Sequence, residues 1–419
     1  MNPTDLKLTY CSNIHAGDSW DDHFAALKQN FHLIKEEFSP FEPLSIGLRI
    51  SNAASLTLLK PAILKQFKIW LGENKSYVFT LNGFPYGEFH HSRVKDQVHF
   101  PDWTTQARLD YTLRLINILA ALLPEGIDGG ISTSPLSYKY WFINREALLS
   151  ARKSATHNII LVAASLIRLK ERTGQIIHLD LEPEPDGLLE TGPEFINWYL
   201  FELLPAAKIY FRANSDAEIL KVEAQIHEHI CLCYDICHFA IGFENHVSCL
   251  AELKNHKIKV GKLQISAALK AVFDPGQVNS NSRNEELKRL LNTYNEPVYL
   301  HQVVAKKNTG ELIRYRDLPD AFASVDNTNV DEWRIHFHVP VFCEVLAPGI
   351  YATQSDIIEV LNLLNQSFFT THLEVETYTW EVLPEGLKLP VEQSIIRELA
   401  WVKTQLVTQI GRASCRERV

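Results

Sequence analysis

The segment LDLEPEPDG, residues 179–187, places carboxylates on alternate residues at the end of an apolar strand pattern. Asp180, Glu182 and Glu184 lie on one face of an extended chain, and His178 shares that face, because side chains alternate between the two faces of a strand. Like charges at this spacing repel one another, and burying them unpaired costs several kcal/mol per ion. The segment is therefore either open to water or arranged around a positive charge.

Other apolar segments end in similar polar residues. In YDICHF an acid is followed three residues later by a histidine; in KLQISAA a glutamine faces away from the apolar side chains, and HLEVETYTW carries alternating acids. Carboxylates, an imidazole and an amide oxygen are ligands suited to Mg²⁺, Mn²⁺ or Zn²⁺. The candidate metal ligands are Glu182, Asp235, His238, Gln264 and Glu376.

Further residues are candidates for catalysis and substrate binding. His336 and His338 share a face in RIHFHVP and could complete the metal site, form a second one, or act with Glu184 as acid and base groups. A lone carboxylate or histidine on a strand is commonly solvated or salt-bridged; its recurrence at successive strand ends favours a metal site. The candidates for substrate contact are His15, Asn82 and Trp380.

The segments that must position these residues alternate between strand and helix patterns along the whole chain. Such alternation predicts parallel strands with helical crossovers. Eight units would close into an α/β fold, a (β/α)₈ TIM barrel, and an open doubly wound sheet is the alternative. Two extra strands, at 298–304 and 333–342, predict a β-hairpin excursion before strand eight. The active site of a barrel lies at the carboxyl ends of its strands, which is where the candidate residues fall.

Composition limits the possible partners and surroundings. The 419 residues are 46% hydrophobic and carry a net charge of −9, which disfavours a nucleic-acid backbone as partner. The longest apolar run, at 159–167, is far below the roughly 18 residues of a membrane span, so direct membrane insertion is not expected. The first nine residues show no signal pattern, and seven scattered cysteines favour a reducing cytoplasm.

The last ten residues, IGRASCRERV, change character abruptly. They resemble an in-frame translation of a common sequencing adapter, and we expect residues 410–419 to be an artefact. The tail contributes three arginines and one glutamate, a net of +2, so the remaining chain carries −11. Since no flexible linker or low-complexity run appears, residues 1–409 are expected to form one domain.

The candidate residues together resemble the xylose isomerase-like TIM-barrel superfamily, which includes sugar isomerases, epimerases and type IV endonucleases. The resemblance implies a glutamate ending strand five, an acid-x-x-His after strand six, a ligand on strand seven, a His pair beyond it and a final acid on strand eight. Two departures stand out. Glu184 occupies the place of the lysine that assists hydride transfer in xylose isomerases, and Gln264 replaces a charged or imidazole ligand, which implies fewer metals than the trinuclear endonucleases hold.

The blocks LTYCSNIHAGDSW, LNGFPYGEFH, HLDLEPEPDG, YDICHF, LQISAAL, WRIHFHVPVF and HLEVETYTWEVLP also resemble, in order, the metabolite traffic protein EboE family. That resemblance implies a cytoplasmic barrel working beside a membrane-bound pathway partner in the movement of natural-product precursors. It leaves the reaction of the barrel undefined.

Three hypotheses follow. The first is a metal-dependent isomerase or epimerase acting on a small polyhydroxylated substrate. The second is a non-catalytic protein that binds and hands on a metabolite. The third is an endonuclease IV-like phosphoesterase, which would need several metals and, for DNA, a basic groove that a net charge near −11 does not favour.

Overall fold

The computed structural model describes residues 6–15, 17–87, 94–273, 280–324, 329–380, 383 and 385–416. Within these ranges the side chains of residues 280–281, 387 and 407–416 are left out of the description.

Fourteen strands and fourteen α-helices are found in the described residues. The strands are β1 (Lys7–Tyr10), β2 (Leu44–Arg49), β3 (Ser76–Asn82), β4 (Gly129–Thr133), β5 (Ile177–Leu181), β6 (Ile230–Asp235), β7 (Val260–Ile265), β8 (Ala267–Val272), β9 (Val303–Lys307), β10 (Leu312–Tyr315), β11 (Val330–Val339), β12 (Val345–Ala347), β13 (Ile350–Ala352) and β14 (His372–Val375). The helices are α1 (Trp20–Phe38), α2 (Asn52–Leu58), α3 (Pro61–Glu73), α4 (Gln106–Leu122), α5 (Arg145–Thr173), α6 (Gly192–Trp198), α7 (Leu204–Tyr210), α8 (Asp216–His229), α9 (Ile236–Ile241), α10 (His246–Asn255), α11 (Ser280–Leu291), α12 (Leu318–Ala323), α13 (Gln354–Ser367) and α14 (Val391–Arg416).

The first seven strands and β14 form one parallel sheet in the order β1-β14-β7-β6-β5-β4-β3-β2. Its two edges meet at a parallel bridge between Cys11 and Gly47, just after β1. A Cβ atom on Gly47 would lie 2.6 Å from the carbonyl oxygen of Tyr10, so the closure requires glycine there. The sheet is thus a nearly closed barrel, and the predicted (β/α)₈ fold is confirmed.

The excursion before the last barrel strand is larger than the predicted hairpin. It is a six-stranded sheet in the order β10-β9-β11-β8-β13-β12, and all its pairs are antiparallel. The chain enters it directly from the barrel, because only Ser266 separates β7 from β8. The hairpin prediction was too small because two of the additional strands have only three residues each, too few to give an alternating pattern.

The interior of the barrel is unusually polar. Lys262 on β7 donates to Ser132 on β4 at 2.8 Å and to Glu374 on β14 at 2.9 Å, and all three are buried. Because β4 and β7 are not neighbours in the sheet, the lysine crosses the inside of the barrel. The apolar positions of β5, Leu179 and Leu181, are buried in the main hydrophobic core.

Helix α14 continues without a break from Val391 to Arg416. The expectation that residues 410–419 are not native stays a prediction, since their side chains lie outside the description. In the part of the chain that the structure covers, every helix is too short or too polar to span a lipid bilayer.

Candidate metal centre and its cavity

Three histidine side chains direct their Nε2 atoms to one place at the mouth of the barrel. His238 lies just after β6 on α9, whereas His336 and His338 lie near the end of β11 in the second sheet. Their ligand nitrogens all fall within 4.8 Å of one another, and the three residues are buried. Nε2 of His238 is 3.1 Å from Nε2 of His336, and Nε2 of His338 has no hydrogen-bond partner among the described residues.

The other ring nitrogen of two of these histidines is held by a backbone carbonyl. Nδ1 of His238 donates to the carbonyl oxygen of Pro183 at 3.0 Å, and Nδ1 of His338 donates to that of Glu376 at 2.9 Å. A carbonyl can only accept, so in the neutral ring the proton is on Nδ1 and the Nε2 lone pair is left for another partner.

Gln302 fixes the third ring in the same way. Its amide nitrogen donates to the carbonyl oxygen of Pro185 at 3.2 Å, which leaves its Oε1 to accept from Nδ1 of His336 at 2.9 Å. All three rings therefore present Nε2 lone pairs, each with an oxygen behind Nδ1. This is the arrangement that orients histidine ligands in metal sites.

Local backbone features place these rings. Asp235 caps α9, accepting from the backbone N–H of His238 at 3.2 Å, so the histidine is fixed one turn into the helix. The register of β11 against β8 shifts between Ile335 and His338, a bulge that contains His336 and Phe337. Bulges commonly redirect side chains beside functional sites, and this one brings the second sheet into the barrel mouth.

Three carboxylates surround the amide nitrogen of Gln264. This nitrogen is 3.0 Å from Glu182 Oε1 and 3.0 Å from Asp235 Oδ2, and it also contacts Glu376 Oε2. The amide oxygen instead accepts from the thiol of Cys233 at 3.5 Å. In this arrangement Gln264 links the carboxylates as a donor, which differs from the role of oxygen ligand that the sequence suggested.

Burial and mutual repulsion disfavour the charged forms of two of these carboxylates. Burial and the charge of Asp235 raise the pKa of Glu376 to about 8, although Asn13 and Asn82 donate to its Oε1 at 2.6 and 2.9 Å. Burial, with the charges of Glu376 and Asp235, raises the pKa of Glu182 well above its usual value. Oε2 of Glu182 has no hydrogen-bond partner in the part of the chain that the structure describes. A nearby cation would lower both pKa values.

Two of the three histidines, His336 and His338, have lowered pKa values. Burial lowers the pKa of His338 to about 4, and burial with the charge of His238 lowers the pKa of His336 well below its usual value. Neutral imidazole is the form that binds a metal ion. The buried, unpartnered nitrogen of His338 and oxygen of Glu182, together with this donor set, fit a divalent cation. Residues Glu182, Asp235 and His238 also lie close enough to share one ion.

The centre opens into an inner cavity of about 70 Å³. By the usual allowance of about 15 Å³ per water, this is room for about five waters. Its lining includes Asn13, Asn82, Glu182, Glu184, His99, His238, Gln302, His336, His338, Glu376 and Tyr378.

Glu184 and His99 form a pair on the wall of this cavity. Oε1 of Glu184 lies 2.8 Å from Nε2 of His99, and both residues are buried. A carboxylate is an acceptor, so the imidazole donates through Nε2. Its Nδ1 has no partner among the residues that the structure describes. A carboxylate oriented by an imidazole beside a cavity is suited to proton transfer.

Of the three expected substrate contacts, only Asn82 lines the cavity. His15 lies 3.3 Å from the hydroxyl of Tyr10 and 3.4 Å from the amide nitrogen of Asn30, on the side of α1. Trp380 stacks on Phe342 with ring centres 6.4 Å apart, within the hydrophobic core. We do not include His15 or Trp380 in the site proposed below.

Several residues of the site were not identified from the sequence. His99 lies in a connecting segment with no strand or α-helix period that could have placed it. Gln302 falls within the strand predicted at 298–304, but β9 begins only at Val303, so the strand pattern did not place its side chain. Asn13 gave a usable signal, because it follows the apolar segment that begins LTYC as Asn82 follows YVFTL, and both amides hold Glu376.

A second cluster of histidine and carboxylate lies near the amino ends of the strands, where Asp128, His178 and His372 come together. Two lysine ammonium groups lie near the carboxylate of Asp128: Nζ of Lys259 is 3.4 Å from Oδ2, and Nζ of Lys7 is 3.8 Å from Oδ1. Because these ammonium groups already supply positive charge, we interpret this cluster as structural.

No family model matches the sequence, and no curated protein matches it. Several solved structures are similar to the model. One is a xylose isomerase-like TIM barrel protein from Mycobacterium smegmatis in complex with magnesium, with 12% identity over 97% of this chain and 99% of that chain and a TM-score of 0.48. Another is a D-tagatose 3-epimerase-like protein, with 10% identity over 97% and 100% of the chains and a TM-score of 0.47. A third is IOLI protein with a binding zinc atom, with 15% identity over 96% and 99% and a TM-score of 0.45.

Proposed function

We propose that this protein is a divalent-metal-dependent isomerase or epimerase acting on a small polyhydroxylated substrate. The observation that carries the proposal is the convergence of three Nε2 atoms, on His238, His336 and His338, whose Nδ1 atoms are all committed to oxygen acceptors. Three imidazoles with a carboxylate nearby form a donor set that favours Zn²⁺ or Mn²⁺ over Mg²⁺.

The bound cation would supply Lewis-acid polarisation of substrate oxygens. The residues that would hold it are the three histidines, with Asp235 and Glu182 as the carboxylates beside them. Oδ2 of Asp235 lies 3.9 Å from Nε2 of His238, and Oε1 of Glu182 lies 3.6 Å from Nδ1 of the same ring. Glu376 and Asp235, linked to Glu182 through Gln264, complete the negative charge around the site.

Proton transfer is assigned to Glu184, with His99 as its positioning partner. Isomerisation and epimerisation both require a base that removes a proton from carbon and an acid that returns one. Glu184 faces the cavity, and the hydrogen bond from His99 at 2.8 Å orients its carboxylate. His336 and His338, first considered as acid and base groups, are better used as ligands because burial keeps them neutral.

The charges that line this cavity are unfavourable for a phosphoester substrate. Among the described residues that line it, the acids include Glu182, Glu184 and Glu376, and the one lysine, Lys95, already pairs with Asp317. A phosphate group would therefore meet like charge without a free cationic side chain.

The cellular setting is proposed from the sequence resemblance alone. By that resemblance to the EboE family, the protein would work in the cytoplasm on a natural-product precursor, beside a membrane-bound pathway partner. A non-catalytic role in binding and transferring such a precursor is the alternative that the experiment below separates.

The test combines metal content with isotope exchange. The full chain, His338→Ala and His246→Ala would be analysed for metal after purification. His246 is a matched control because its imidazole is also buried but bonds Tyr234 and Asp356 away from the site. We expect about one ion per chain in the wild type and the control, and a loss in His338→Ala.

The loaded protein would then be incubated in deuterated water with a panel of ketoses and aldoses, both as monosaccharides and as the reducing ends of disaccharides. We expect deuterium to enter at the carbon beside the carbonyl, to stop entering after chelation and to resume after the metal is restored. Stoichiometric metal in His338→Ala would contradict the site. Metal binding without exchange into any sugar would contradict catalysis and favour the transfer role.

A further inference from the structure

An outer chamber of about 590 Å³ adjoins the inner cavity. Val94, Lys95 and Leu300 line both spaces, so the two are contiguous. The inner cavity, at about 70 Å³, has room for about five water-sized groups. It can hold the reacting end of a substrate but not a complete sugar ring with its hydroxyls. The remainder of the substrate must then extend into the outer chamber.

One wall of this chamber is aromatic. Tyr138, Tyr140 and Trp141 come from the segment after β4, and the ring of Tyr138 lies 5.6 Å from that of Tyr140 and 5.8 Å from that of Trp141. The indole nitrogen of Trp141 donates to Asp96 at 2.7 Å, which fixes the ring. The guanidinium of Arg316 stacks 3.6 Å from the centre of Tyr140. This wall is ordered before any ligand arrives, which lowers the entropic cost of binding.

The charged groups of the chamber do not favour an anion. Lys95 and Arg316 are opposed by Asp96, Asp317 and Asp320, a net charge of −1, and Lys95 is paired with Asp317. A phosphate or carboxylate would meet more negative than positive charge. Hydroxyl groups suit these side chains better, because a hydroxyl donates to a carboxylate and accepts from a guanidinium.

His99, the partner of Glu184, contacts both the inner cavity and the aromatic wall of the outer chamber. Nε2 of His99 bonds Glu184 in the inner cavity, while its ring lies 5.2 Å from Tyr138 and 6.3 Å from Trp141. A ring bound against the aromatic wall would therefore lie next to the residues that move protons.

We propose that the outer chamber is a binding subsite for the second ring of a glycoside whose reacting sugar keeps a carbonyl group, such as a disaccharide with a free reducing end, so that the substrate is not a free monosaccharide. This inference rests on the proposed function, because it places the reacting sugar carbons at the metal centre. The second ring, from a sugar or an aromatic aglycone, would pack on the aromatic wall through its C–H groups or its π face. Asp96, Asp320 and Arg316 would serve its polar substituents.

Saturation-transfer NMR and affinity measurements on the metal-loaded full chain would test the subsite. The probes are methyl and 4-nitrophenyl glycosides of glucose, galactose, mannose and xylose, with maltose and cellobiose. We expect at least one two-ring ligand to bind more tightly than the matching methyl glycoside, with strong saturation of its second ring. In Tyr140→Ala the ratio of the affinity for the two-ring ligand to that for the methyl glycoside should fall about 3- to 10-fold, with methyl glycoside affinity unchanged.

Tyr210→Ala is the matched control, since Tyr210 is 39% exposed and Tyr140 is 41% exposed. Arg316→Ala, at an exposed position, is a second variant for the same wall. The proposal is overturned if no two-ring ligand of the panel binds, if methyl glycosides bind equally well, or if both wall variants retain the advantage. Failure of the proposed function would look different: the protein would lack metal or isotope exchange while second-ring saturation persisted.

Discussion

The Nε2 atoms of His238 and His336 lie 3.1 Å apart, although the Nδ1 atom of each ring already has an oxygen partner. With both protons on Nδ1, two nitrogen lone pairs face each other, an arrangement that is repulsive unless a positive charge lies between or beside them. For His336 the oxygen belongs to Gln302, whose own orientation is fixed by the carbonyl of Pro185. Gln302 is therefore a positioning residue, and its substitution should weaken metal binding without removing a ligand.

Gln302→Met keeps the length of the side chain but removes the acceptor for Nδ1 of His336. We expect metal affinity to fall about 10- to 100-fold, the usual effect of losing a partner behind a ligand histidine. A competitive titration against a chromophoric chelator would measure it. Gln354→Met is the control, because that buried glutamine bonds the carbonyl of Val341. Equal affinities in the two variants would mean that Gln302 does not orient the ring.

Glu184→Gln should separate proton transfer from metal binding. Since Glu184 bonds His99 and none of the three converging imidazoles, we expect metal content to stay at the wild-type level while isotope exchange falls by about 10²- to 10⁴-fold. His99→Gln, which keeps a donor, should lose less. Glu190→Gln is the control: this carboxylate belongs to the same segment but pairs with Lys139. Undiminished exchange in Glu184→Gln would remove the base from the proposal.

The alternation of side chains along the predicted strands indicated much of the site. Because side chains alternate along a strand and parallel strands end at one edge, Glu182, Asp235 and Glu376 could be expected to meet. The contact of all three with one nitrogen of Gln264 agrees with that reasoning. The alternation of side chains could not predict which atom of the Gln264 amide faces the carboxylates. That orientation depends on the hydrogen bond between the amide oxygen and the thiol of Cys233.

The rest of the site depends on contacts that have no sequence period. His336 and His338 were recognised as a pair, but their approach to His238 depends on the bulge in β11 and on a second sheet whose shortest strands have three residues. His99 reaches the cavity from an irregular segment and is placed by Glu184 and by packing on Tyr138. Such tertiary contacts become visible only when the chain is folded.

The ion pair inside the barrel gives a prediction about stability. Lys262 and Glu374 are both fully buried and 2.9 Å apart, so Lys262→Met would leave a buried carboxylate without its partner. We expect a loss of about 3–5 kcal/mol in the free energy of unfolding, with much of it recovered in Lys262→Met/Glu374→Gln. Urea denaturation measures both. Lys208→Met, which breaks a partly exposed pair with Glu223, should cost about 1 kcal/mol or less. Equal losses in the two single variants would contradict this account.

Glu398 makes stability depend on pH. It is buried on α14, where its Oε1 accepts from the hydroxyl of Thr377 at 2.7 Å and the backbone N–H of Val341 at 3.2 Å. Burial raises its pKa from 4.5 to about 8. Between these values the folded state holds a proton that the unfolded chain has released, so the stability from this group falls as pH rises and levels off above about 8.

Glu398→Gln should remove this contribution, because the amide keeps an acceptor oxygen but does not titrate. We expect the free energy of unfolding of the variant, relative to wild type, to increase between pH 5 and pH 8 by an amount on the order of a few kcal/mol. Urea midpoints at several pH values would measure the difference, so that contributions from other groups cancel. Glu385→Gln is the control, since that side chain is 89% exposed. If wild type and Glu398→Gln lose stability in parallel as pH rises, Glu398 is ionised in the folded protein and the helix is held to Thr377 by a charged acceptor.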